Sequence, residues 1–561
     1  MKKDVICNAI VKLAPMRLFF LFVFLGFILK APSQVPVNKI DSIFKQWNNS
    51  NSPGCAVGIV RNDSLIFSKG YGMANLEYGI PNTPETIFHM ASVSKQFTAY
   101  AIILLARQGK LSLEDDFRKY LTWFPDLHKK ITIRQLLNHT SGIRDQWQLV
   151  AIQGTRLDDV ITQDHLVKVI GKQQALNFLP GDEYSYSNSN FTLCAEIVKT
   201  ISGQSFRRFT DSAIFHPLGM TNTHFHDDYE EIVKNRAYSY DRRGNEFANA
   251  VLSYSNVGAT SLFTNVNDMS KWVMNFFNPK SGDAATIKML TENGRLNNGK
   301  KIDYALGIAS VAYNGYKEYS HSGGDAGFRT FVDVFPDLKM GFIVFSNIGD
   351  FNPAGKAHDV ANLFVVDTTN KTARAEKKSG DTSEMNFKDS AFLKNYEGNY
   401  ISDNGVAVKM ELKGKKWYYS SGGGTYLLLK DSENTYSMFF APEVKFRMDK
   451  DHSIFVTAPG EEFILKKYLE KTYSDDSLKK YVGTYHSPEL DCNYYIRLKD
   501  HKLVLTNNKY NDAQLTIAGP DHLLSDYWWM NHLFIRRDKQ NHIVGFEVNS
   551  GRIMHVVFDR Q

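Results

Sequence analysis

Two eight-residue phrases near the end of this 561-residue chain, 85 positions apart, agree at five of their eight positions. Leu393-Lys394-Asn395-Tyr396-Glu397-Gly398-Asn399-Tyr400 is echoed by Leu478-Lys479-Lys480-Tyr481-Val482-Gly483-Thr484-Tyr485. Each copy runs on into short stretches of alternating apolar and polar residues, at 408–419 and 494–506. Such alternation marks half-buried strands. Two copies are too few for a solenoid, which needs about three stacked units to bury its core. A strand-dense, aromatic-rich unit of this size has to close its own sheet edges. The repeat therefore predicts two small antiparallel β-barrels, at 391–470 and 471–561.

Upstream, 34–366 reads as one mixed α/β unit. Two β-rich runs, 53–60 and 65–71, flank Asn62-Asp63, a hairpin turn pair. Helices are expected at 37–47, at 92–108 before Gly109, and at 190–201 before Gly203. Strands at 331–335 and 340–345 flank Pro336-Asp337. Residues 367–390, rich in Thr, Lys, Asp, Glu and Ser, read as a linker.

At the N-terminus, Lys2, Lys3, Lys12 and Arg17 precede an apolar run from Leu18 to Leu29, with small residues at Ala31-Pro32-Ser33. That is the pattern of a signal peptide, 1–33, cleaved near Gln34. The protein is expected to be exported, periplasmic or extracellular; an uncleaved anchor is the alternative. Of the net charge of +6, residues 1–33 hold five Lys/Arg and one Asp, leaving +2 for the mature chain. With no basic stripe, nucleic acid is not an expected partner. Cys55, Cys194 and Cys492 would remain, an odd set without a CxxC pair. They support neither a metal nor a redox role.

The chemistry centres on Ser92-Val93-Ser94-Lys95, which puts a hydroxyl and an amine on one face of a helix. A serine hydroxyl is a poor nucleophile until a neighbour takes its proton. The same spacing recurs at Ser42/Lys45 and Ser477/Lys480, so it identifies nothing alone. Tyr186-Ser187-Asn188 follows Pro180-Gly181 and enters a helix. Between two cations Tyr186 is expected to have a depressed pKa and to act as general base, with Asn188 holding a substrate carbonyl or the Lys95 amine. A second Tyr-Ser-Asn lies at 254–256. His321-Ser322-Gly323-Gly324 is expected at the start of an edge strand, offering a positive or hydrogen-bonding edge, with glycines that let substrate lie close. Asp325 is placed either to attract a substrate ammonium or to pair with Arg329.

In this order the motifs resemble the serine β-lactamase and penicillin-binding-protein family, in its class C and esterase-like branch. Residues 88–95, 136–142, 180–188 and 217–220 carry the resemblance, and His321-Ser322-Gly323 stands where many members have Lys-Thr-Gly. The resemblance implies an α/β (α+β) domain with an antiparallel sheet flanked by helices. It also implies acyl transfer through Ser92, with Lys95 and Tyr186 moving protons and the N–H groups of Ser92 and Gly324 holding the oxyanion. No cofactor or metal is implied, and 138–140 would shape the fold.

Histidine in place of lysine removes the permanent cation that would grip a β-lactam carboxylate. That variant, followed by two lipocalin-like barrels, resembles the D-aminopeptidase branch. The expected function is hydrolysis of D-amino-acid-containing peptides, amides or small esters. One alternative is a β-lactamase or D,D-carboxypeptidase; another is a non-catalytic penicillin-binding sensor or cell-wall-binding protein. Peptidoglycan fragments are among the candidate ligands. One barrel is expected to present a loop over the cleft.

Overall fold

The hairpin expected around Asn62-Asp63 founds the central sheet in a computed structural model that describes residues 35–365, 387–402, 406–421, 424–438, 441–458, 461–468, 473–519 and 521–561. Strands β1 (Cys55–Arg61) and β2 (Ser64–Tyr71) pair antiparallel, with Asn62 at φ +54° turning the chain. The sheet is completed by β3 (Ala309–Tyr313), β4 (Tyr316–Asp325), β5 (Phe328–Phe335) and β6 (Met340–Ser346). Its order is β3-β4-β5-β6-β1-β2, antiparallel throughout. The chain's two ends of this domain thus meet at the β1–β6 pair. Everything between β2 and β3 is free to build a helical layer beside the sheet.

One face is covered by α1 (Val37–Ile43) and a later helix, Pro353–Ala361. There Ile40, Phe44 and Trp47 pack with Phe335, Phe342, Val344 and Val360. The other face carries the main core, built on α2 (Ser94–Arg107), α3 (Asn188–Ser202) and α4 (Val266–Asn275). Buried residues run without a break from Ser94 to Ile103 in α2 and from Asn188 to Ala195 in α3. A helix buried all round sits at the centre of a domain, and here both α2 and α3 do so.

Both repeats close into eight-stranded antiparallel barrels. In the first, Gly398–Ser402 pairs with Glu461–Tyr468; in the second, Gly483–Ser487 pairs with Ile553–Arg560. The repeated phrase now has a physical reason. Leu393, Tyr396 and Tyr400 are buried in the first barrel's core, and Leu478, Tyr481 and Tyr485 match them in the second. The barrels differ in their attachment. The first keeps an apolar core of its own, whereas the core of the second is continuous with that of the sheet domain. Across that junction Tyr494 Oη donates to Ile152 O at 3.0 Å and Tyr510 Oη to Thr155 O at 2.7 Å.

The expected signal, 1–33, and most of the expected linker lie outside the described residues. The linker's last four positions belong to the helix Phe387–Leu393, whose C-terminal turn carries Leu393 into the barrel core. No helix among the described residues is long and apolar enough to cross a membrane. Cys55 and Cys194 are buried, Cys492 is half-buried, and none of the three is paired.

Candidate active site

Ser92 lies on a 3-10 turn, Ala91–Val93, that runs directly into α2. Ala91 has φ +47°, a left-handed conformation that is costly for a residue with a Cβ. Surrounding bonds hold it there. Ala91 N–H donates to His89 Nδ1 at 3.1 Å, and Thr330 Oγ1 donates to Met90 O at 2.8 Å. Strand β4 presses against the same turn: a Cβ on Gly323 would fall 2.3 Å from Met90 O. The missing Cβ of that glycine therefore serves close packing beneath Ser92. Gly324 has no such neighbour, its nearest being Arg329 Nη1 at 3.5 Å.

Lys95 is fully buried on the first turn of α2. Its Nζ is 3.0 Å from Ser92 Oγ, 2.8 Å from Asn188 Oδ1 and 2.7 Å from Ala259 O. Burial brings the amine down to about 7, and Arg552 pushes the same way, against the pull of Asp325 and Asp145. A neutral amine has two hydrogens and one lone pair. The two oxygens that can only accept take the hydrogens, and the lone pair is left for the Ser92 hydroxyl. This arrangement can draw a proton from Ser92. The other two Ser-x-x-Lys copies sit on exposed surface, where Ser42 bonds Asn38 O and Ser477 its cap, Ser474.

Asn188 opens α3 with its orientation fixed from both sides. Its Oδ1 accepts from Lys95, while its Nδ2 and backbone N–H both donate to Asp145 Oδ2 at 2.8 Å. Asp145 is buried and also caps the helix Gln146–Ile152 through Trp147 N–H. It was not foreseen; the cap position before an apolar run was visible, but not its reach to Asn188.

Tyr186 departs from expectation. Its hydroxyl oxygen is buried, with no hydrogen bond of good geometry among the described residues. Burial pushes its pKa well up, against the lowering effects of Ser92 and Arg552. In the resting site Tyr186 is a phenol, and the depressed-pKa base is Lys95. The His139 ring lies 4.2 Å from the Tyr186 ring, tilted 38° to it, and accepts from Ser187 N–H through Nδ1, so His139 braces this loop. In the second Tyr-Ser-Asn, Tyr254 stacks on Trp147 and Asn256 bonds Gln146 and Gln163, all structural roles.

His321 also differs. It lies inside β4, paired on one side with Val332, and the pairing with β3 ends at Ser320. The run 321–325 is therefore open along one edge, though not at a strand start. Nδ1 is 2.6 Å from Ser322 O, so it carries the hydrogen; Nε2 is 2.8 Å from Tyr304 Oη and accepts from it. Burial and the Lys95 charge bring His321 down to about 3. It is neutral with both nitrogens occupied, and supplies no positive edge. Asp325, raised to about 6 by burial, accepts from Thr260 Oγ1, while Arg329 Nη1 turns to Ala326 O and Phe328 O. The Asp325–Arg329 ion pair is not formed.

From the second barrel comes a group the sequence did not announce. Arg552 places its guanidinium 4.8 Å from the Tyr186 ring centroid, while Lys95 Nζ lies 4.9 Å from the same centroid. Among the described residues two clusters could hold a metal ion, His224 with His226 and Glu231, and Glu318 with Asp333 and His358. Neither includes a residue of the Ser92 site, and Glu231 is already gripped by both terminal nitrogens of Arg207.

The Beta-lactamase family profile matches residues 40–367. The chain belongs to that family. This beta-lactamase-family chain is 25% identical over 433 residues to a penicillin-binding protein of Bacillus subtilis (strain 168), spanning 73% of this chain and 94% of the relative. It is 28% identical over 310 residues to a D-aminopeptidase of Brucella anthropi, spanning 55% of this chain and 58% of that protein. An octameric penicillin-binding protein homologue from Pyrococcus abyssi shares the fold, with a TM-score of 0.55 at 21% identity over 77% of this chain and all of the other.

Proposed function

We propose that this beta-lactamase-family chain is an exported serine hydrolase that forms an acyl-enzyme on Ser92. Its substrates are D-amino-acid-containing peptides, amides or small esters. The observation that carries the reading is the buried Lys95 amine, whose Asn188 and Ala259 bonds leave its lone pair to Ser92. Ser92 Oγ attacks the carbonyl carbon as its proton passes to Lys95. The N–H groups of Ser92 and Gly324 hold the oxyanion, each such donor lowering the barrier by about 3–4 kcal/mol. The proton returns through Lys95 and the neutral Tyr186 hydroxyl to the leaving nitrogen or oxygen, and water then releases the acyl group. The similarity to a D-aminopeptidase supports the D-amino-acid class. The neutral His321 speaks against β-lactams as the native substrate, because no cation stands at that position.

The test is labelling of the mature protein with a fluorophosphonate and a fluorescent penicillin, beside Ser92→Ala. The fluorophosphonate is expected to label only the wild type, and D-alanyl amides or esters to be turned over. Penicillin labelling that persists would favour a penicillin-binding protein, and labelling by neither probe a binding protein without catalysis. Export rests on the basic and apolar pattern of 1–33. Terminal sequencing of secreted protein is expected to begin at Gln34; a retained Leu18–Leu29 run would mean an anchor instead.

A further inference from the structure

Arg552 sits at the tip of the turn joining two strands of the second barrel, Ile543–Ser550 and Ile553–Arg560. The tip is clamped to the sheet domain on both sides. Arg552 N–H donates to Gln148 Oε1 at 2.7 Å, and Gln148 Nε2 donates to Ser550 O at 2.9 Å. Arg552 O accepts from Asn177 Nδ2 at 2.9 Å and from Asp145 N–H at 3.2 Å. Asn177 Oδ1 in turn accepts from Met554 N–H at 2.8 Å. Asp145 is the residue that orients Asn188, so the tip is built into the frame of the site.

So firmly held a backbone is an expensive way to present a surface cation with no purpose. The side chain is exposed, and among the described residues its guanidinium has no hydrogen bond and no carboxylate partner. It lies over the Tyr186 ring, whose other nitrogen neighbour is the buried Lys95 amine. An unpaired guanidinium fork is matched to a carboxylate, which it grips with two parallel N–H···O bonds. His321, where a lysine was missed, leaves that need open.

We propose that Arg552 forms a carboxylate subsite at the mouth of the Ser92 cleft, so that the second barrel selects substrates bearing a free carboxylate close to the scissile bond. This rests on the acyl-enzyme reading above and narrows its substrate class. Tyr186 stands on the path of the proton returning to the leaving group, and Arg552 overlies Tyr186. The carboxylate is therefore placed on the leaving-group side, as in an amide whose departing amine is an amino acid. A substrate with a free ammonium at that point is repelled. The charge of Arg552 already bears on its neighbours, lowering the proton affinity of both Lys95 and Tyr186.

Binding to the full mature chain carrying Ser92→Ala tests this without turnover. Calorimetry would compare N-acetyl-D-alanyl-glycine with its C-terminal amide, and succinyl-D-alaninamide with a neutral butyryl analogue. The first acid is expected to bind about 10- to 100-fold more tightly than its amide, the range of a charge-assisted bidentate pair. Adding Arg552→Gln should abolish that difference while the amide's affinity moves less than about twofold, and Arg552→Lys should restore part of it. A gain for the succinyl acid alone, also lost in Arg552→Gln, would keep the subsite and move it to the acyl side. Equal binding of acids and neutral twins, or an equal loss for both in Arg552→Gln, would overturn the proposal. Failure of the wild type to take the fluorophosphonate would instead strike the acyl-enzyme reading.

Discussion

Lys95→Met is expected to slow acylation of Ser92 by about 10³- to 10⁴-fold, the upper range of a lost general base. Methionine fills the same volume, so the fold of α2 should survive and the melting temperature should fall only modestly. What disappears is the lone pair facing Ser92 Oγ, along with the partner of Asn188 Oδ1 and Ala259 O. Stopped-flow acylation by an activated D-alanyl ester reads the effect. The wild type offers an independent check through pH. Below about 7 Lys95 is an ammonium whose three hydrogens are all donated, and no acceptor remains for the Ser92 proton. kcat/KM should therefore rise as pH passes upward through about 7, then level off. The groups that face Lys95 are Asp145, Asp325, Arg552, Tyr186, His139 and His321. Of these Asp325, held at about 6, ionises on the same limb and pulls the amine's pKa upward as it does so. A profile flat from pH 5 to 8 would refute the lysine-base assignment.

Glu489→Ala is expected to destabilise the junction between the second barrel and the sheet domain by about 3–5 kcal/mol, the cost of leaving a buried charge unpaired. Glu489 meets Arg144 at 2.9 Å, and both side chains are almost wholly buried. Burial pushes the Glu489 carboxyl up and the Arg144 guanidinium down, even though each attracts the other. Desolvation thus outweighs attraction, so the pair adds little net stability while its rupture costs much. Arg144 retains Ala175 O as an acceptor, so the guanidinium is not wholly stranded. The damage should reach the catalytic centre, because Arg144 O accepts from Ser189 Oγ beside Asn188. Urea unfolding followed by protease sensitivity of 473–561 would measure the loss, with Glu489→Gln falling in between. Unchanged unfolding in Glu489→Ala would show that the barrel is held by its apolar contacts alone.

Much of the local structure was legible because it answers to short-range rules. The Asn62-Asp63 hairpin, the two buried helices and the strand pair around Pro336-Asp337 appear within a few residues of their expected bounds. The barrels were legible because an exact spacing of Leu and Tyr repeats a whole core. Ionisation was not legible. Tyr186 was expected to lose its proton beside two cations, but burial raises a phenol's pKa, and the lowered pKa belongs to Lys95. His321 was expected to offer a positive or a hydrogen-bonding edge, and its burial and its Tyr304 and Ser322 bonds rule out the positive one by keeping it neutral.

By itself the amino-acid order determined the class of fold, the two barrels, and the helical face that unites Ser92 with Lys95, since each depends on periodicity along one stretch of chain. The downstream motifs already single out Ser92 and Lys95 among the three Ser-x-x-Lys pairs, but only the tertiary structure shows the burial that brings the Lys95 amine down to about 7, because desolvation depends on everything packed around an amine and not on its spacing from a serine. It likewise brought Asp145 to Asn188 and Arg552, from the far end of the chain, to the ring of Tyr186. The first meeting is made by the packing of the sheet domain's own helices and the second by the docking of the second barrel on that domain; both are long-range contacts that leave no period in the sequence.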